Sequence, residues 1–180
     1  MTKIAVLVGS LRKDSFSRKI AKAFARLNPG FDADFVDIGV VSHFNQDLEE
    51  NPPADWTAFR DRIAAADAVL FVTAEYNRSV PGVLKNAIDV GSRPYGKSVL
   101  ANKPAAIIST SVGAIGGFGA NHHLRQSLTF LNMPTMAQPE AYIGATGGLF
   151  DEAGDLTNDG TRDLLVRFGA AFEKHIARNS

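Results

Sequence analysis

Five short apolar runs alternate with five stretches of helical spacing, and no other feature of the chain restricts its fold so tightly. The runs are Ile4–Val8, Phe31–Ile38, Ala68–Thr73, Ala105–Thr110 and roughly Met136–Ile143. The helical stretches are Ser17–Leu27, Asp55–Ala66, Pro81–Val90, Asn121–Leu131 and Thr161–Ala177. Strand–helix units repeated in this way predict a parallel sheet with helices on both faces. The first, third and fourth runs are continuously apolar, as strands covered on both sides require. The 180 residues are read as one domain over 1–180, long enough to bury roughly 70% of the unfolded surface. In open sheets of this class a ligand sits beyond the carboxyl ends of the strands, where strand order switches. The residues just after each strand are therefore the ones to inspect.

The first of these segments is Gly9-Ser10-Leu11-Arg12-Lys13-Asp14-Ser15-Phe16-Ser17-Arg18, which leads into the helical spacing of Ile20, Phe24 and Leu27. A helix N-terminus presents unpaired N–H groups and partial positive charge, so it suits an anion. The second and third glycines of a dinucleotide fingerprint are missing, and serines stand at 10, 15 and 17. Hydroxyls can donate to the terminal oxygens of a phosphate monoester. A pyrophosphate instead needs bare backbone at close approach. The loop reads as a mononucleotide phosphate site, with FMN the leading candidate and Arg12 the ionic partner. A plain turn with a helix cap would need one serine, not three with an arginine. Lys13, Arg18 and Lys19 are read as solvated charges at the helix start.

After the third run comes Ala74-Glu75-Tyr76-Asn77-Arg78-Ser79-Val80, and Pro81 marks the start of the next helix. This loop leaves backbone N–H and C=O groups at the strand end, as the pyrimidine edge of an isoalloxazine requires. By spacing alone it is equally a connecting loop with Tyr76 packed for area. Asn86 and Asp89, one helical turn apart, are read as solvent or interface residues. After the fourth run, four glycines fall within Gly113–Gly119. They predict a flexible loop whose backbone could lie flat against a planar ligand. His122 and His123 are adjacent and have no carboxylate or histidine three or four residues away, so they are read as polar helix surface or interface rather than metal ligands. Trp56 is read as packing. No Ser–His–Asp set or carboxylate pair stands out, which fits chemistry done by a cofactor.

Composition excludes several classes. Formal net charge is zero, which argues against nucleic acid or an anionic membrane as main partner. The chain has no cysteine, so disulfides and thiolate catalysis are out. No run approaches the ~18 apolar residues of a membrane span. The five apolar residues before Gly9 are too few for a signal-peptide core, so the expected location is cytoplasmic.

The loop at 9–18, the stretch Glu75-Tyr76-Asn77 with Ser79–Asp89, and Gly113–Gly117 together resemble the NADPH-dependent FMN reductase family. Within it they are most similar to the bacterial quinone and chromate reductase branch, over about residues 3–143. The resemblance implies a flavodoxin-like three-layer αβα fold, a five-stranded parallel sheet in the order 2-1-3-4-5, and bound FMN. It implies ping-pong hydride transfer from NADPH or NADH to quinones, azo compounds, free flavin or metal oxyanions, in a homodimer or homotetramer, with no catalytic side chain. It also places Ser10, Arg12, Ser15, Phe16 and Ser17 at the phosphate and Glu75, Tyr76 and Asn77 along the flavin ring. Ser111 and Gly113 complete the site. Residues 122–126 and Glu140 fall in the region that builds the tetramer contact, where Arg125 could pair with Glu140. The chain departs from the family pattern at Ala74, where a proline is usual, and at Val90, where an aromatic residue is frequent. The rival reading is a flavodoxin-like one-electron carrier; such carriers are strongly acidic for docking, and this chain is neutral.

Overall fold

The computed structural model describes residues 1–179. Its strands are β1 (Thr2–Gly9), β2 (Phe31–Val36), β3 (Ala68–Ala74), β4 (Ala105–Thr110) and β5 (Ala141–Ile143). Its helices are α1 (Phe16–Leu27), α2 (Ala54–Ala64), α3 (Gly82–Gly91), α4 (Phe118–Phe130) and α5 (Asp159–Asn179). All pairings are parallel and the order is β2-β1-β3-β4-β5, as the resemblance implied. The order reverses between β1 and β3, so their carboxyl ends open the crevice where a ligand is expected.

The continuously apolar runs serve two cores at once, because successive strand side chains point to opposite faces. Ile4, Val6 and Val8 pack with Leu70, Val72, Ile20, Phe24, Phe168 and Phe172 on the side of α1 and α5. Ala5 and Leu7 pack with Val69, Phe71, Trp56, Ile63, Leu84 and Leu124 on the side of α2, α3 and α4. Trp56 is packing, as expected: it is buried, and its Nε1 donates to the Ser42 carbonyl at 2.9 Å.

Several boundaries differ from the sequence reading. α1 begins one residue early because Ser15 is its cap, its Oγ accepting from Arg18 N at 3.2 Å. Pro81 precedes α3 as its cap rather than lying in its first turn. β2 stops at Val36, where Asp37 turns the chain by accepting from Gly39 N at 2.9 Å. The expected fifth strand over 136–143 shrinks to three residues, with only an isolated bridge from Thr135 to Ala105 before it. Pro139 lacks the N–H that a continuous ladder needs. Asn86 is not a solvent or interface residue. It is buried, its Oδ1 accepts from Phe44 N at 2.8 Å, and its Nδ2 donates to the Val41 and Ser42 carbonyls at 3.1 and 3.2 Å. It thus ties the segment after β2 to α3. Asp89 lies at the surface and pairs with Lys85 at 2.7 Å.

Candidate functional site

Ser10, Ser15 and Ser17 are all buried where β1 hands over to α1, while Leu11, Arg12, Lys13 and Asp14 stand exposed between them. The Ser17 hydroxyl shares a 2.8 Å hydrogen bond with Thr110 Oγ1 at the end of β4. Thr110 in turn donates to the Thr73 carbonyl on β3 at 3.4 Å. The loop is therefore fastened across the crevice between β1, β3 and β4. The Phe16 and Ser17 amides, at the first turn of α1, have no carbonyl a turn earlier to bond, and the exposed Arg12 stands in the same loop. This donor set fits a dianionic phosphate monoester. Phe16 contributes at most its amide, since its ring stacks on Phe150 with centroids 6.2 Å apart. Lys19 is not simply solvated: its Nζ lies 5.6 Å from both ring centroids, where a cation is attracted.

At the end of β3, Tyr76 and Ser79 exchange two backbone bonds of 3.0 Å each, closing a tight turn. Asn77 and Arg78 occupy the left-handed region, with φ of 51° and 64°, as a primed turn demands. Tyr76, Asn77 and Arg78 are exposed. The Glu75 side chain points into the protein: Oε2 accepts from Ala120 N at 3.1 Å and Oε1 from Arg78 Nη1 at 3.3 Å.

The glycine-rich loop is not the flexible element expected. Ser111 N donates to the Ile143 carbonyl at 3.0 Å, Ala145 N to Gly113 at 3.2 Å, and Thr146 N to Ser111 at 3.3 Å. Ser109 Oγ donates to the Gly116 carbonyl at 2.8 Å. Ser111 and Gly113 thus belong to a loop stitched to the segment after β5, with Ser111 Oγ accepting from Gly113 N at 3.1 Å. Thr146, which sequence reasoning missed, is fully buried beside this seam, and its hydroxyl has no hydrogen-bond partner among the described residues. Only tertiary contact brings it there, so no local pattern announces it.

The two histidines are not bare surface groups. His123 Nδ1 and Ser79 Oγ lie 2.9 Å apart. His122 Nε2 is 3.1 Å from the Tyr142 hydroxyl, and its ring centroid is 4.1 Å from that of Phe118. Burial, then the neighbouring Glu140, push the Tyr142 hydroxyl up to about 12. Arg125 spends its guanidinium within its own chain, on Asn121 Oδ1 and the Met136 carbonyl, each at 3.0 Å. Among the described residues no cluster could hold a metal ion. Beside the site, a cavity of about 1290 Å³ opens between α3 and α4. Phe44, Ser79, Lys85, Tyr95, His123 and Phe130 are among its lining.

The sequence model of NADPH-dependent FMN reductases matches residues 2–147, which include every loop just described. The chain belongs to that family. A quinone reductase of Pseudomonas putida is 56% identical over 178 residues, covering 98% of this chain and 95% of that protein. A 2-hydroxy-1,4-benzoquinone reductase of a Burkholderia species is 50% identical over 92% of this chain and 91% of its own. Among solved structures, the flavoenzyme NAD(P)H:(acceptor) oxidoreductase FerB from Paracoccus denitrificans superposes with a TM-score of 0.93 at 40% identity, covering 99% of both chains. A flavodoxin from Pseudomonas aeruginosa, 18% identical with a TM-score of 0.61 over 96% of this chain, shares the fold alone.

Both departures from the family pattern have a structural counterpart. Ala74 keeps its place in β3 opposite Thr110, and its carbonyl accepts from Thr73 Oγ1 at 2.7 Å. Val90 is fully buried within the chain, its carbonyl accepting from Arg60 Nε at 2.9 Å.

Proposed function

We propose that this reductase-family chain is an FMN-dependent NAD(P)H oxidoreductase that reduces quinone-class acceptors by two electrons. The observation that supports the reading is the loop at 10–17, which carries three buried serines and the exposed Arg12 directly into the first turn of α1. When bound there, FMN would accept hydride from NAD(P)H and deliver it to the acceptor. The chain's own residues bind and orient. The Ser10 and Ser15 hydroxyls, the Phe16 and Ser17 amides and Arg12 hold the phosphate. Backbone groups of 75–77 and of 111–113 face the ring, and Tyr76 and Phe118, each about half exposed, shield it from water. No side chain is assigned a proton-transfer step. Azo compounds, free flavin and metal oxyanions remain within the proposed acceptor range. The net charge of zero disfavours a one-electron carrier that docks through an acidic surface.

The reductant and the acceptor are taken to use the same open face in turn. Steady-state rates with a quinone varied against NADPH, then NADH, are therefore expected to give parallel double-reciprocal lines. Lines that intersect would mean that both substrates bind together and would contradict the alternating use of one face.

We also propose a homodimer, or a dimer of such dimers, in which a second copy covers the cavity between α3 and α4. Tyr95 and Phe130 line that cavity and are 84% and 86% exposed, and exposed aromatics gathered at one surface mark interaction sites. Ser79 links the same surface to the flavin-side turn. Sedimentation at micromolar concentration is expected to show a dimer or tetramer. A fully active species of 19.3 kDa would contradict it. Among the described residues no helix is long and apolar enough to cross a membrane. We place the enzyme in the cytoplasm, where its nicotinamide reductant lies.

A further inference from the structure

We propose that Glu75 is a positioning residue, whose carboxylate latches the turn at 76–79 onto the first turn of α4 and so sets the backbone that meets the flavin edge. The inference rests on the FMN reading above. It gives the Glu75 side chain a separate role beside the expectation that residues 75–77 line the ring.

Both carboxylate oxygens are engaged by protein groups. Oε2 accepts from Ala120 N at 3.1 Å, and Oε1 receives Arg78 Nη1 at 3.3 Å. The Glu75 side chain is only 12% exposed, whereas that of Arg78 is 75% exposed. The amide bond therefore outweighs the ion pair, because exposed pairs contribute little. Gly117 offers α4 no side-chain cap, and a carboxylate near a helix N-terminus is favoured by the partial charge there. Glu75 fills that role from another loop.

Two further observations place the latch at this joint. A Cβ on Gly119 would sit 2.9 Å from the Arg78 carbonyl oxygen and 3.0 Å from Glu75 Oε2, so the close approach needs glycine. On the far side of the turn, Ser79 Oγ meets His123 Nδ1 at 2.9 Å. The turn, with Asn77 and Arg78 both left-handed, is thus pinned to α4 from two sides. The chain has Ala74 just before this turn, where a proline would have fixed φ. The latch supplies that rigidity from tertiary contacts.

The test uses Glu75→Ala, Glu75→Gln and Gly119→Ala, each titrated as apoprotein with FMN and with riboflavin. Visible circular dichroism of the bound flavin and melting of each apoprotein accompany the titrations. Glutamine can still accept from Ala120 N, so Glu75→Gln should stay within about twofold of wild-type affinity, while Glu75→Ala should weaken both flavins by roughly tenfold. Equal loss for FMN and riboflavin is expected because the phosphate loop is untouched. Gly119→Ala should reproduce the loss and the altered dichroism with Glu75 intact. If Glu75→Ala does not fold, the contrast between Glu75→Gln and Gly119→Ala carries the same test.

Wild-type affinity and dichroism in Glu75→Ala would overturn the latch. So would a Glu75→Gln loss as large as that of Glu75→Ala, since the oxygen that accepts from Ala120 N would then not be what holds the turn. A wild-type chain that binds neither flavin would instead overturn the proposed function and the latch with it. Wild-type binding with unaffected variants overturns the latch alone.

Discussion

Gly116→Ala is expected to cost about 2–4 kcal/mol of stability and to leave the purified protein without flavin. Gly116 has φ of +67°, and a Cβ there would lie 2.5 Å from the Tyr142 carbonyl carbon, 2.7 Å from its oxygen and 2.8 Å from Ile143 N. All three atoms are backbone of β5, so no flexible side chain can swing away. Left-handed geometry alone costs an alanine about 1–2 kcal/mol. The collision adds to that by prising the glycine loop from the segment that holds Ser111 and Gly113 in place. Gly147→Ala is the matched control, because nothing lies within 4 Å of a Cβ there. It should stay within about 0.5 kcal/mol of wild type. Denaturant midpoints and flavin content measure both effects. Wild-type values in Gly116→Ala would show that the seam between the two loops does not hold the site.

Arg12→Ala is expected to weaken FMN by about 1.5–3 kcal/mol, tenfold or more in Kd, and to leave riboflavin binding nearly unchanged. Arg12 is exposed and forms no ion pair among the described residues. Its removal should therefore leave the apoprotein's melting temperature where it was. The loss arises only when a phosphate is present to receive the guanidinium. Paired titrations of wild type and variant with FMN and riboflavin separate the contributions. If wild type bound both flavins equally well, the loop at 10–17 would not be a phosphate site.

The sheet was legible because β1, β3 and β4 are apolar on both faces, which few structures other than a covered parallel sheet require. The serine loop was conspicuous because three serines exceed what a cap needs, and the structure uses Ser15 as the cap of α1 while Ser10 and Ser17 are buried beside it. What escaped sequence reasoning was set by contacts distant along the chain. The glycine loop looks mobile in isolation, and its stiffness comes from Ile143, Ala145 and Thr146 on another segment. Asn86 looks like a surface helix residue, and its partners lie between Val41 and Phe44. The start of α4 was placed too late because Gly117 and Phe118 carry no polar cap to announce it. β5 was overextended because an apolar run cannot reveal which of its residues find a neighbouring strand. The resemblance placed Glu75 along the flavin ring, and no local pattern showed that its side chain turns to the α4 amide.

The most direct test of the central claim is anaerobic mixing of the FMN-loaded protein with NADPH or NADH, followed by a quinone. The visible flavin absorbance should fall on adding at least one nicotinamide and return when one equivalent of quinone is added. If neither nicotinamide bleaches the flavin while dithionite does, the chain is not a nicotinamide-dependent reductase, and the electron-carrier reading takes its place.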